Sequence, residues 1–407
     1  MKNVLFLLDY FCENASANGI CCRNVAKEMT SRGYRVFVGS YRPESAPDVE
    51  QMEDVQVYKT WTMPATQVPR TLKDRLRFYA KWIFPSRNAP AAEEPDRTAA
   101  IYGAARKIIA AEQIDTVICV HLPVEALIAG TLLKADYPNI SVCGYMLDSM
   151  SGGVLPRFLP ARYARQRKIK WEANLLEKLD LAVLMESART HHQTFTPTQA
   201  WMSHGVFGDI PQMTQLAHHG SVYHGEDTIS IVYVGSLMDG LRTPYHFLKV
   251  LSCVSNYQVE LTLAGNHHCE MGFEEFVRAN PKIKLRLPGA VSHASAMEWM
   301  NSAHILVNFG NRNSTLVPSK IFEYMSLGKP IISTCCGQND SSGAYLAKYP
   351  YVLWLDEENK DYLSQARALE AFVASISGVR IDTEEILKAF YQNTPGAFVD
   401  LLIHQFD

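Results

Sequence analysis

Lys320 and Glu323 stand three residues apart in Val317-Pro-Ser-Lys-Ile-Phe-Glu-Tyr-Met-Ser-Leu-Gly-Lys-Pro-Ile-Ile332, just behind a proline. The apolar period of the segment predicts a helix that begins near Pro318. A helix start offers unpaired backbone N–H groups and partial positive charge, so it is a place to hold an anion. The spacing puts both side chains on one helix face. Either they reach a common ligand or they pair with each other. Further along the chemistry, Arg242 in Asp239-Gly-Leu-Arg-Thr-Pro244 is a second candidate cation. Asp148, in Tyr145-Met-Leu-Asp-Ser149, either orients or deprotonates a hydroxyl or simply caps the segment that follows it. His121, in Val120-His-Leu-Pro123, is open between a structural and a functional role on its own evidence.

Short apolar runs position these residues. Val4 to Leu8, a helical stretch from about Ile20 to Ser31, the stop at Gly33 and the run Arg35 to Val38 form a β-α-β unit. Similar runs recur at Thr116-Val-Ile-Cys-Val120, Ile140-Ser-Val-Cys-Gly144 and Asp180-Leu-Ala-Val-Leu184. Strands buried on both faces of a parallel sheet have this composition. From Met202 to Thr228 the period lapses, which predicts a linker. The pattern then restarts with strands that run into Gly235, Gly265, Gly289 and Gly310. Glycine beyond the carboxyl end of a parallel strand lets backbone approach a ligand at the edge where open α/β sheets bind. The predicted fold is α/β, with two Rossmann-like doubly wound domains facing a cleft.

Composition narrows the partners. At 407 residues the chain exceeds one ordinary core. A charged fraction of 20% and a net charge of −3 give no global pull toward nucleic acid, which is not expected as a partner. The nine cysteines are odd in number and lack C-x-x-C spacing, as expected of reduced thiols in the cytoplasm. The apolar run after Met1 is too short for a signal core or a membrane span. A nicotinamide-type site is excluded at the first strand, because Asp9 to Gly19 contains no G-x-G-x-x-G.

The stretch Pro318-Ser-Lys-Ile-Phe-Glu-Tyr-Met-Ser-Leu-Gly-Lys-Pro-Ile-Ile332 resembles the donor-site helix of GT-B glycosyltransferases of the family 4 type, and the resemblance extends over nearly the whole chain. Tyr233-Val-Gly-Ser-Leu237, Gly265, Gly289, His204-Gly-Val206 and the Asn18-Gly19 loop support it. The resemblance implies a nucleotide-diphosphate sugar, UDP- or GDP-linked, as substrate, with Gly19, Gly235, Arg242, Gly265, Gly289, Pro318, Ser319, Lys320 and Glu323 at the donor. It gives Glu323 the ribose hydroxyls and His121 a place near the reacting sugar. A departing diphosphate gathers negative charge, so fixed cations suit it. At about 4 Å and an effective dielectric near 20, each unit charge pair contributes on the order of 4 kcal/mol before desolvation. Arg242 and Lys320 are the candidate cations, and His121, Asp148, Arg242 and Lys320 form the expected catalytic set.

Many relatives of this type carry a glutamate eight positions before Glu323, where this chain has Thr315. Asn311, Arg312, Asn313 and Thr315 are therefore candidates for the donor-sugar contacts. Likewise the arginine often found after the glycine of the second-domain start is Ser236 here, and Arg242 compensates in this reading. The resemblance implies retention of anomeric configuration. No Asp-x-Asp signature lies in a strand-end loop, so no metal and no cofactor are expected.

The expected organisation is an acceptor-binding domain over 1–205, a linker over 206–228, a donor-binding domain over 229–385, and helices over 386–407 that return to the first domain. Arg70 to Phe84 mixes five cations with four aromatics, and Arg157 to Trp171 repeats the theme. These either touch an anionic membrane or a lipid-linked acceptor, or form helices with solvated cations and buried aromatics. The expected function is transfer of a sugar to a glycan or lipid-linked acceptor in bacterial polysaccharide or glycolipid synthesis, at a cytoplasmic location with a possible peripheral site on the membrane's inner face. A nucleotide-sugar epimerase and a silent nucleotide-binding scaffold are the alternatives.

Overall fold

The computed structural model describes residues 2–11, 17–42, 47–52, 54–61, 72, 76, 79–80, 93–147, 149–153, 155–156, 158–184, 188–195, 201–202, 220–269, 272–311, 317–335 and 340–406. The chain divides into two compact units, Met1–Gly208 with Gln392–Asp407, and Asp209–Tyr391. Both are α/β with parallel sheets and Rossmann-like winding.

In the first unit the sheet consists of β1 (Asn3–Leu7), β2 (Arg35–Tyr41), β3 (Val49–Met52), β4 (Val55–Trp61), β5 (Thr116–His121), β6 (Ser141–Met146), β7 (Leu181–Leu184) and β8 (Trp201–Met202). Their order is β3-β4-β2-β1-β5-β6-β7-β8, parallel except for the edge pair β3–β4. Val4, Leu5, Phe6 and Leu7 are all buried, because α1 (Ala17–Ser31), α2 (Pro95–Glu112), α3 (Val124–Asp136), α4 (Ala161–Leu176) and α5 (Arg189–His192) lie in the crossovers. This is why the strands read as continuous apolar runs rather than alternating ones.

The sheet of the second unit has β9 (Thr228–Val234), β11 (Gln258–Ala264), β13 (Ile283–Gly289), β14 (Ile305–Phe309), β15 (Ile331–Cys335) and β16 (Val352–Asp356) in the parallel order β13-β11-β9-β14-β15-β16. A small pair, β10 (Leu237–Met238) with β12 (His267–His268), sits beyond the ends of β9 and β11. The helices are α6 (Tyr245–Ser252), α7 (Phe273–Ala279), α8 (His293–Ser302), α9 (Lys320–Ser326), α10 (Gly343–Leu346), α11 (Tyr362–Ser375) and α12 (Thr383–Ala389). Strand order reverses between β9 and β14 here, and between β1 and β5 in the first unit. Ligands of open α/β sheets bind beyond the carboxyl ends at such switch points.

Three boundaries differ from the sequence expectation. The helix after β1 starts at Ala17, so Gly19 lies in its buried first turn rather than in a loop. Asn18 explains this locally, since its Nδ2 donates to the His121 carbonyl over 3.1 Å and docks the helix start on β5. The end of the expected linker is core, with Tyr223 packed among Ile229, Val254 and Ile376. Of the two C-terminal helices, α12 stays in the second unit, where Ile386 joins Ile321 and Met325. Only the last helix, α13 (Pro395–Phe406), belongs to the first unit. There Asp400 meets Arg32 at 2.5 Å, and the buried Phe398 ring lies 4.7 Å from that of Tyr145.

Candidate active site

Three adjacent strands of the second unit end in glycine at the carboxyl edge. The Gly235 N–H donates to the Ala264 carbonyl over 2.8 Å, and the Gly265 N–H to the Gly289 carbonyl over 2.7 Å. Gly265 has φ +131°, and a Cβ there would stand 2.1 Å from the Gly235 carbonyl oxygen. No other residue fits without moving the backbone. The edge is therefore a close-packed shelf of main chain, next to the switch point.

Helix α9 is anchored to this shelf. Ile321, Phe322 and Met325 are buried in the core, and the Tyr324 hydroxyl accepts the Val234 N–H at 3.1 Å, immediately before Gly235. The opposite face carries Lys320, whose Nζ lies 2.7 Å from both carboxylate oxygens of Glu323. His293, the first residue of α8, brings its Nε2 to 3.8 Å from Glu323 Oε2. Burial would raise the Glu323 carboxyl, but His293 and Lys320 outweigh it and hold it below the ordinary carboxylate range. Glu323 is thus an anion at neutral pH with acceptor capacity only. With seven residues α9 is short, so attraction for an anion rests on the Lys320 charge more than on a helix dipole.

Arg242 lies on the turn after β10, where its backbone exchanges hydrogen bonds with Met238, both at 3.0 Å. Its charge acts on the Tyr233 and Tyr324 hydroxyls, which puts it at the same edge as α9. Arg242 Nε is buried without a hydrogen bond. A buried guanidinium nitrogen in that state is an unsatisfied donor. Pro318 is buried, Ser319 exposed and Asn311 buried. Arg312, Asn313 and Thr315 lie outside the described residues, as does His204-Gly-Val206.

In the first unit His121 closes β5 at the switch point beside β1, with 4% of its surface exposed. The sequence left His121 open between a structural and a functional role; here the residue is buried at the strand end. Asp148 lies outside the described residues. The loop that follows it is held from below by Glu172 of α4, which accepts from the Ser151 N–H at 2.9 Å, the Met150 N–H at 3.2 Å and the Ser149 and Ser151 hydroxyls. His192 Nε2 completes the set at 3.1 Å. Arg165 and Lys168, two cations of the second basic stretch, bond the Ser151 and Met150 carbonyls at 2.6 and 3.0 Å. Those two charges serve the loop, and Trp171 is buried. Most of the first basic stretch lies outside the described residues. No helix among the described residues is long and apolar enough to cross a membrane.

His293, Tyr324 and Glu172 carry no signal of their roles in the sequence. Each acts through a partner distant in the chain, so periodicity gives no signal for it. Only the position of His293 behind the Ser292 cap, where Ser292 Oγ accepts the Ser295 N–H at 3.1 Å, had a local cue.

Two Rossmann-like units with this winding define the GT-B fold. Residues 228–376, most of the second unit, match the family described as glycosyl transferases group 1. Among solved structures, sucrose-phosphate synthase from Thermosynechococcus elongatus is 13% identical, with a TM-score of 0.64 over 100% of this chain and 99% of that one. The UDP-forming α,α-trehalose-phosphate synthase from Burkholderia xenovorans, in complex with glucose-6-phosphate, is 10% identical, with a TM-score of 0.61 over 100% of both chains. The lipopolysaccharide outer core galactosyltransferase WaaB, in its apo form, is 11% identical, with a TM-score of 0.59 over 99% of each. Comparison with curated proteins finds no match. Identities this low speak for the fold alone.

Proposed function

We propose that the protein is a glycosyltransferase of the family 4 type that moves a sugar from a UDP- or GDP-linked donor to a hydroxyl of a glycan or lipid-linked acceptor, with retention, in bacterial surface-glycan synthesis. The observation that carries this reading is the Lys320–Glu323 pair beside His293, on a helix tied through Tyr324 to the glycine edge. In this reading the donor exchanges one set of partners for another. The Lys320 ammonium turns from Glu323 to the diphosphate, and the freed carboxylate accepts the ribose hydroxyls. Arg242 supplies the second cation through its unpaired Nε. As the bond to the leaving diphosphate lengthens, charge grows on the phosphate oxygens, and these two cations, turned to the diphosphate when it binds, stabilise it. The acceptor oxygen attacks from the face the diphosphate leaves. His121, at the carboxyl edge of the first sheet, belongs to the acceptor side in this reading, and Asp148 is assigned to that side from the sequence alone. The group 1 match of the second unit and the UDP-2-fluoro glucose bound to one structural neighbour, from E. coli, support the donor class. The chemistry needs no resident metal or cofactor in this reading.

The test is release of nucleoside diphosphate from a panel of UDP- and GDP-sugars, with and without extracted lipid-linked glycans. One donor is expected to be consumed in an acceptor-dependent way, and Lys320→Ala to slow it by a hundredfold or more, about 2.7 kcal/mol of transition-state stabilisation. Consumption of no donor, or equal rates in wild type and variant, contradicts the proposal.

A further inference from the structure

The carboxyl edge holds one more acid that the reading above leaves unused. Asp340 follows β15, and its Oδ1 accepts the Ser342 N–H at 2.8 Å, while Oδ2 is buried and accepts no hydrogen bond. Its support is rigid: Asn308, fully inside the sheet, donates to Ser342 Oγ at 3.2 Å and to Ser333 Oγ at 2.9 Å. Opposite the free oxygen stands Gly310, at the end of β14. A Cβ there would lie 2.6 Å from Asp340 Oδ2 and 2.6 Å from the Thr334 carbonyl oxygen. Any larger residue would collide with the carboxylate. Burial lifts the Asp340 carboxyl above its ordinary range, and the Glu357 charge adds to this. A buried carboxylate oxygen without a donor is costly, and it persists where a ligand brings the donor.

We propose that Asp340 accepts hydrogen bonds from hydroxyl groups of the donor's sugar and so selects which sugar is used. This rests on the transferase reading. Among the described residues, the neighbours of the Asp340 carboxyl include two acceptors, the Thr334 carbonyl and the Glu357 carboxylate, whose charge acts on it, and a sugar supplies several O–H donors at once. The location is the end of β14 and β15, the strands that α9 connects, so a diphosphate held by Lys320 would place its sugar along this edge. A site built to hydrogen-bond a hydroxyl discriminates strongly against analogues that lack it.

The test is calorimetric titration of the full chain with UDP, GDP, their sugar conjugates and the corresponding deoxy-sugar conjugates, for wild type, Asp340→Asn and Asp340→Ser. The second variant covers the case in which the first fails to fold. Expected for the variants is unchanged affinity for the nucleoside diphosphate, a tenfold or greater loss for its sugar conjugate, and loss of discrimination between sugar and deoxy-sugar. Sugar conjugates bound as tightly as by wild type overturn the proposal, as does an equal loss for the bare diphosphate. A difference seen only with added Mg²⁺ also overturns it, because the carboxylate then holds a cation. If wild type binds conjugates and diphosphates alike poorly, the transferase reading fails first and this one with it.

Discussion

Tyr324 accepts the Val234 N–H at 3.1 Å, joining the helix that carries Lys320 to the strand that runs into Gly235. Both residues are buried, so the hydrogen bond fixes the height of the helix above the glycine shelf.

Tyr324→Phe keeps the ring and removes the acceptor, leaving a buried N–H unpaired. A loss of about 1–3 kcal/mol in the stability of the second unit is expected, together with weaker nucleotide binding. Urea denaturation and ligand titration of the variant check this. Unchanged stability would mean that the hydrogen bond does not tie helix to strand.

The glycines of the shelf differ in what they tolerate. Gly265→Ala meets both a left-handed φ of +131° and a backbone oxygen at 2.1 Å, whereas Gly289→Ala, at φ +74°, meets open space. The first change is expected to cost about 3 kcal/mol or more and the second about 1–2 kcal/mol. Equal denaturation midpoints for the two variants would refute the close approach of Gly265 to Gly235.

Glu172 makes the first unit acid-sensitive. Burial would raise its pKa, but hydrogen bonds from His192 and Ser151 hold it down at about 2, against an ordinary 4.5. A carboxyl depressed in the folded state contributes fully above the ordinary value, and the contribution fades as pH falls from about 4.5 toward 2. The span corresponds to about 3 kcal/mol. Denaturation midpoints across this window should fall for wild type, and Glu172→Gln should be less stable at pH 7 with a flatter acid limb. A variant as stable as wild type at pH 7 would show that the loop after β6 does not depend on the carboxylate.

The apolar runs that became β1, β5, β9 and β14 were legible because a strand covered on both faces is mostly apolar, and β11 because its apolar residues alternate with polar ones. The edge strand β3 was not, since its residues Val49 to Met52 are exposed or half-buried and give no run. The three-residue spacing of Lys320 and Glu323 announced a shared face, and the structure realises the pair. Whether Lys320 turns to a ligand is not a property of spacing. His121 was legible as a strand end but not as a buried residue, and its backbone carbonyl is held by Asn18 of α1, 103 positions away in the chain. The Glu172 network joins residues up to 23 positions apart, and the free oxygen of Asp340 depends on Gly310 across the sheet. Pairings of that kind are set by topology, which a local pattern does not encode.

The most direct measurement is thermal denaturation of the full chain with UDP, GDP, ADP, TDP and CMP, for wild type and Lys320→Ala. A ligand at a hundred times its dissociation constant adds about 2.7 kcal/mol, which moves the midpoint visibly. One nucleoside diphosphate is expected to stabilise wild type and to have no effect on Lys320→Ala. A panel in which no nucleotide stabilises wild type, or in which the variant responds as wild type does, would contradict a donor site at Lys320 and leave the Lys320–Glu323 pair as a structural one.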